Sequence, residues 1–426
     1  MEKKAVAIVV GGGPAPGING VISAVTIEAI NRGHKVYGVR DGFEHISLGK
    51  TSQVSQLTIS DVSWIHSEGG SILRTSRANP TKNKEHLNNV VNVFKELGVG
   101  YLVTIGGDDT AHSARVVADT AGGAIAVAHV PKTIDNDLPL QGKASTFGYQ
   151  TARDVGTEIV DTLMRDARST SRWYLVNAMG RKAGHLALGI AVASGAPLCL
   201  IPEEFEEEKI KLSSLVDTIV GSILKRAASD RRYGVAVLAE GLAEKLDVDS
   251  IPELASAERD PHGHIRYAEI DFGGILRRAV RARLKEFNID LPVVDKNVGY
   301  ELRCCAPVPF DREYTKQLGF GVVDFLLSGG SGAMITRQGD KLDAIPFSQL
   351  IDPHTNKTIV RYVDIKSPLY RVATRYMIRL TESDLRSDTF VARLAELTGV
   401  SSAVIRQEFS HCVAVEGLFP DRLEEI

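Results

Sequence analysis

Short apolar runs separated by stretches of helical periodicity dominate the first third of the chain. Ala5–Val10, Lys35–Arg40, Tyr101–Ile105 and Ala124–Val130 are of strand length and rich in β-branched residues. Between the second and third of these, Leu87, Val90, Val91, Phe94 and Leu97 recur at helical spacing, and Gly98 follows where a helix-ending glycine belongs. Strands alternating with helices predict a parallel sheet covered by helices. A second series begins after about residue 150, with Trp173–Ala178, Pro197–Ile201 and Tyr233–Ala239 as its strands. A chain of 426 residues exceeds what one hydrophobic core organises, so two α/β units are expected, with no evident linker between them.

Composition narrows the partners. Fifty Lys and Arg against 53 Asp and Glu leave a net charge of −3. That is too near neutral for nucleic acid or an anionic membrane to be the main partner, so any bound anion must be held by local features. The cysteines, Cys199, Cys304, Cys305 and Cys412, fit neither a disulfide framework nor a two-plus-two metal site and point to a reducing cytoplasm. Cys304 and Cys305 read as packed small residues. The opening MEKKAVAIVVGGG has the charges and apolar start of a leader, but the apolar run is only a strand long. No stretch approaches the ~20 consecutive apolar residues of a bilayer span.

Three strands of the first series end in loops suited to phosphate chemistry. The first runs into Gly11-Gly12-Gly13-Pro14-Ala15-Pro16-Gly17-Ile18-Asn19-Gly20, where glycines let backbone approach a phosphate and a helix start supplies free N–H donors. Its two prolines separate it from the Rossmann and Walker loops. The third runs into Gly106-Gly107-Asp108-Asp109-Thr110, a carboxylate placement that suits Mg²⁺ holding phosphate oxygens. The fourth runs into Pro131-Lys132-Thr133-Ile134-Asp135-Asn136-Asp137, whose carboxylates suit a general base beside a metal-bound donor. Each loop alone also reads as a structural turn or helix cap; the succession of three favours phosphate.

GGGPAPGIN, GGDDT, PKTIDND and MGRKAGH, in this order and spacing, resemble the phosphofructokinases, and in particular their pyrophosphate-dependent branch, from about residue 5 to about residue 330. The resemblance implies an α/β fold of two Rossmann-like parallel-sheet domains. Residues 1–149 with about 300–345 would form a phosphoryl-donor domain, and 150–299 with about 346–426 a fructose 6-phosphate domain. It implies phosphoryl transfer to the 1-hydroxyl of fructose 6-phosphate with Mg²⁺, in a cytoplasmic homodimer or homotetramer whose sugar sites are shared between subunits.

Residue by residue, the resemblance makes Asp135 the base, with Thr133 and Asp137 beside the sugar and metal. Asp108 engages Mg²⁺, and Gly12 lines the donor phosphates. Arg181 and Arg77 neutralise the phosphoryl in flight, with Arg74 a further phosphate contact. Met179, Gly180 and Glu240 face the sugar, and Arg303, Tyr300 and, from a neighbouring subunit, Arg172 stand at the sugar-phosphate end. Where many members carry His-x-Gln-Arg-Gly-Gly, this chain has Tyr300-Glu301-Leu302-Arg303-Cys304-Cys305, keeping only the arginine. His185 reads as helix-start packing, and Arg371, Arg375 and Arg379, four residues apart, as a solvated helix face.

Two positions bear on the donor. ATP-using members usually have Gly where this chain has Asp109, and small bacterial ones also have Gly in place of Lys132. A carboxylate at Asp109 repels a nucleotide's α-phosphate, and Lys132 supplies a compact charge for pyrophosphate. Some ATP-using members share PKTIDND, so Asp109 carries this expectation. The competing readings are an ATP-dependent 6-phosphofructokinase, a pyrophosphate enzyme for another sugar phosphate such as sedoheptulose 7-phosphate, and a non-catalytic regulatory subunit.

Overall fold

The computed structural model describes residues 3–140, 144–247, 251, 271–339, 341–352, 354 and 358–414. Its strands are β1 (Ala5–Val10), β2 (Val36–Val39), β3 (Val54–Leu57), β4 (Val99–Gly106), β5 (Ala126–Pro131), β6 (Trp173–Ala178), β7 (Leu198–Leu200), β8 (Gly234–Ala239), β9 (Val293–Val298), β10 (Ala333–Gln338) and β11 (Lys341–Pro346). The chain forms two compact units. One comprises Met1–Val155 and Tyr300–Arg361, the other Gly156–Gly299 and Tyr362–Ile426.

The first unit is built on a seven-stranded sheet ordered β11-β10-β5-β4-β1-β2-β3. β1, β2, β4, β5 and β10 are parallel, while β3 and β11 are antiparallel edges. All six residues of β1 are buried because helices cover both faces. Alternate residues divide between the two layers. Ala5, Ala7 and Val9 pack with Phe94 and Val117, whereas Val6, Ile8 and Val10 pack with Ile22, Val25, Leu318 and Val322. The expected amphipathic helix is Lys84–Glu96, started by the Asn83 side chain accepting from Glu85 N at 2.8 Å. Gly98 follows it at φ +65°.

The chain leaves β1 toward β2 and β3 on one side and then continues with β4, β5 and β10 on the other. The strand order therefore reverses between β1 and β4, the position where open α/β sheets bind ligands outside their carboxyl ends. The three phosphate-suited loops follow β1, β4 and β5, three adjacent strands at that reversal.

The second unit holds a parallel four-stranded sheet ordered β7-β8-β6-β9. Its core takes Leu380, Leu385, Val391, Leu394, Ile405 and Phe409 from the C-terminal segment, packed with Leu215, Ile219 and Ile223 of helix Leu212–Ala227. A buried ion pair ties the two parts. Lys225 Nζ lies 2.5 Å from Asp384 Oδ2 and donates to Arg379 O at 3.0 Å, and Asp384 Oδ2 also accepts from Thr381 N at 2.7 Å. Removing one partner strands the other charge in an apolar core. Asp384→Ala is therefore expected to cost about 3–5 kcal/mol, read as a lower urea midpoint, whereas an exposed pair such as Arg386–Glu382 should give under ~1 kcal/mol.

Several elements escaped the sequence pattern. β3, β9, β10 and β11 were not expected, since VSQL and VVDKNV are short or polar at their centres, AMITRQ turns polar after three residues, and β11 is a half-exposed edge. The arginine series does not form one solvated face. Helix Pro368–Tyr376 ends before Arg379, which is buried against Glu204 and donates to Cys199 O at 2.8 Å. Cys304 is exposed, so the packed reading of the cysteine pair fails there.

Candidate active site

In the first unit the loop after β1 is shaped by neighbours far along the chain. Gly12 takes φ +80°, and its N–H donates to Ser76 O at 2.9 Å, while Gly11 pairs with Ser76 in a parallel bridge. That bridge places the next residue, exposed Arg77, beside the glycine loop. The segment before it packs without a side chain at Gly69, where a Cβ would lie 1.9 Å from Cys304 O. On the other side, Lys132 is buried and its Nζ donates to Gly13 O. A Cβ on Gly12 would stand 3.4 Å from that Nζ, and one on Gly13 would stand 3.5 Å from Arg303 Cζ. The Arg303 guanidinium also stacks over the Tyr300 ring at 5.1 Å. Two cations thus converge on the Gly12–Gly13 backbone.

The β4 and β5 loops are locked to each other. Gly106 O accepts from Lys132 N at 2.7 Å and from His129 Nε2 at 3.0 Å. A carbonyl only accepts, so Nε2 carries the proton and His129 Nδ1 takes the hydroxyl proton of Thr104 at 2.9 Å. Burial, followed by the nearby Lys132 charge, pushes His129 down to about 3, so the ring stays a neutral donor across the working range. Helix Asp108–Ala121 starts immediately after this turn, with half-buried Asp108 and exposed Asp109 in its first turn, where the helix dipole favours carboxylates.

The loop after β5 holds Asp135 buried. Asp135 N donates to Thr133 Oγ1 at 3.0 Å, and Thr146 Oγ1 donates to Thr133 O at 2.6 Å. Asp137 is half-buried at the end of the same turn. Gly12, Asp108, Asp109, Lys132, Thr133, Asp135, Asp137 and Arg77 are thus brought to the carboxyl ends of three neighbouring strands.

The second unit carries its own constellation. Met179 and Gly180 follow β6, and Glu240 follows β8, the adjacent strand. Glu240 Oε2 accepts from Gly180 N and Arg181 N, each at 3.1 Å, which holds Arg181 in a left-handed turn at φ +51°. Behind the same loop, Glu203 Oε1 accepts from Gly184 N at 2.9 Å and Val363 N at 3.0 Å, and burial pushes its carboxyl up. His185 begins helix His185–Ser194.

The sequence profile that matches the chain, over residues 5–326, is that of the Phosphofructokinase family. The chain belongs to this family. Among curated relatives it is 53% identical over 383 residues to the pyrophosphate–fructose 6-phosphate 1-phosphotransferase of Thermotoga maritima, covering 89% of this chain and 91% of that one. It is 49% identical to the enzyme of the same name from Naegleria fowleri, covering 95% of each. Among solved structures, the pyrophosphate-dependent phosphofructokinase of Nitrosospira multiformis has the same fold at TM-score 0.66 and 18% identity, covering 93% of this chain and 92% of that one.

Within this phosphofructokinase chain, one expected sugar-site residue lies apart from the others. Arg172 immediately precedes β6, whereas Met179 follows it. At about 3.3 Å per residue the strand separates them by roughly 23 Å. Arg172 cannot therefore join the Met179–Arg181 loop of its own chain. Its Nε lies 3.9 Å from Asp166 Oδ2. Two supporting residues were missed in the sequence. His129 left a signal, a lone imidazole inside the apolar run AVAHVP. Glu203 left none, because its role depends on a backbone N–H 160 residues away.

Proposed function

We propose that this chain transfers a phosphoryl group reversibly between pyrophosphate and the 1-hydroxyl of fructose 6-phosphate, giving fructose 1,6-bisphosphate and orthophosphate. The observation that carries the reading is the convergence of Gly12, Asp108, Lys132 and Asp135 at the strand-order reversal of one sheet. The identity to relatives bearing this activity's name supports it further.

In this reading the first unit is the donor domain. Lys132 and the Gly12–Gly13 backbone hold the pyrophosphate end that becomes orthophosphate. Asp135 accepts the proton of the 1-hydroxyl as its oxygen bonds to phosphorus and the bridging P–O bond breaks. Arg77 and Arg181 oppose the charge that builds on the phosphoryl oxygens, the main lever available to a phosphotransferase. Asp137 and Thr133 order the base loop and face the sugar. Met179, Gly180 and Glu240 of the second unit contact the sugar, and Tyr300 and Arg303 of the first serve the sugar 6-phosphate. The place of Arg172 supports a homo-oligomer in which this arginine serves the sugar phosphate of a neighbouring copy.

Among the described residues no group of three His, Cys, Asp or Glu side chains is arranged to hold a metal. The hard carboxylate of Asp108 nonetheless suits Mg²⁺ that arrives on pyrophosphate, because this ion takes one or two carboxylates and fills its shell with phosphate oxygens and water. Such an ion would neutralise pyrophosphate charge. No described helix is long and apolar enough to cross a membrane, and the reading places the reaction in the cytoplasm.

The test is fructose 1,6-bisphosphate formation with pyrophosphate and ATP as parallel donors. Turnover with pyrophosphate and little with ATP is expected. An ATP preference would sink the donor assignment, and inactivity with both would favour another sugar phosphate or a regulatory subunit.

A further inference from the structure

Beyond the segment matched by the family profile, one arginine directs its donors at the backbone around Asp135. Arg361 donates from Nε to Asn136 O at 3.0 Å, from Nη2 to the same carbonyl at 2.8 Å, from Nη1 to Ala144 O at 2.7 Å, and from Nη2 to the Asn136 side-chain oxygen. Its own N–H reaches Asp137 O at 2.7 Å. The two residues that follow the base, and Ala144 beyond them, are thus tied to a single arginine that lies 225 positions after Asn136.

The turn needs such support. Asn136 sits at φ +56°, a left-handed conformation that costs an L-residue on the order of 1 kcal/mol and persists only where its surroundings enforce it. Thr146 N also donates to Asn136 Oδ1, at 3.1 Å. A planar guanidinium can reach both carbonyls and the amide oxygen at once, whereas an ammonium on a flexible stem cannot reproduce the fork. Its charge also faces Asp137.

We propose that Arg361 is a positioning residue for phosphoryl transfer. It fixes the Thr133–Asp137 turn so that the Asp135 carboxylate meets the attacking hydroxyl, which extends the machinery of the site past the family-matched segment. The proposal rests on the reading of Asp135 as the base.

The experiment compares Arg361→Lys, Arg361→Ala and Asp135→Asn in the full chain, by steady-state kinetics in both substrates and by thermal melting. Misplacing a reacting group by about 1 Å costs roughly a hundredfold. Arg361→Lys is therefore expected to lose about 10²-fold in kcat, with KM for pyrophosphate within about twofold and the melting temperature close to wild type. Millimolar guanidinium ion should restore about tenfold of the activity lost in Arg361→Ala, which a purely structural role would not allow. A folded Lys variant within about threefold of wild-type kcat would overturn the proposal. So would losses that follow melting temperature and ignore guanidinium. If Arg361→Ala does not fold, the Lys variant decides; if neither folds, positioning separable from folding is refuted. Turnover surviving in Asp135→Asn would sink the base assignment and this role with it. An inactive Asp135→Asn beside active Arg361 variants would sink this role alone.

Discussion

Asparagine in place of Asp135 is expected to lower turnover in both directions by about 10³-fold, with both KM values within a few-fold of wild type. Asparagine preserves the size of the buried side chain and leaves intact the Asp135 N to Thr133 hydrogen bond, which is made by the backbone. What it removes, on the proposed role of Asp135, is a proton acceptor at the reacting hydroxyl. Microscopic reversibility requires the same group to return the proton when fructose 1,6-bisphosphate meets orthophosphate, so both directions should fall together. Steady-state assays in each direction, with circular dichroism to verify folding, provide the check. A loss confined to KM would assign Asp135 to binding instead.

The second large effect concerns donor choice. Asp109→Gly is expected to raise ATP-supported kcat/KM by about 10²-fold and to weaken the discrimination in favour of pyrophosphate. The side chain is exposed in the first turn of helix Asp108–Ala121, so its removal leaves no cavity behind. Repulsion between one carboxylate and a further phosphate charge about 4 Å away, about 4 kcal/mol near a protein surface, is of the size needed for such a ratio. The buried Lys132, whose ammonium lies against the Gly12–Gly13 backbone, remains in place to serve either donor. An Asp109→Gly enzyme with unchanged ATP activity would move the origin of donor choice elsewhere in the site.

Much of the first unit was legible in the sequence because its parallel strands are buried on both faces and read as unbroken apolar runs. AVAIVV became β1 residue for residue, and GGDDT and PKTIDND fell at strand ends as expected. Short and edge strands gave no such signal, since β11 buries only Ile345 fully and β3 offers four residues only. The chemistry-bearing loops were visible as composition, but what holds them was not. His129 locks two loops through Gly106, and Arg361 reaches back to Asn136; such supports join positions whose proximity only the folded chain creates. Arg379 shows the converse, a periodic position that burial against Glu204 removes from the helix face its spacing predicts.

The most direct test of the central claim is the reverse reaction with isotopic phosphate. The purified chain is incubated with fructose 1,6-bisphosphate, Mg²⁺ and radiolabelled orthophosphate, and the products are resolved. The account predicts labelled pyrophosphate together with fructose 6-phosphate in equal amounts, abolished in Asp135→Asn. Absence of labelled pyrophosphate, with ADP converted to ATP in a parallel incubation, would contradict it.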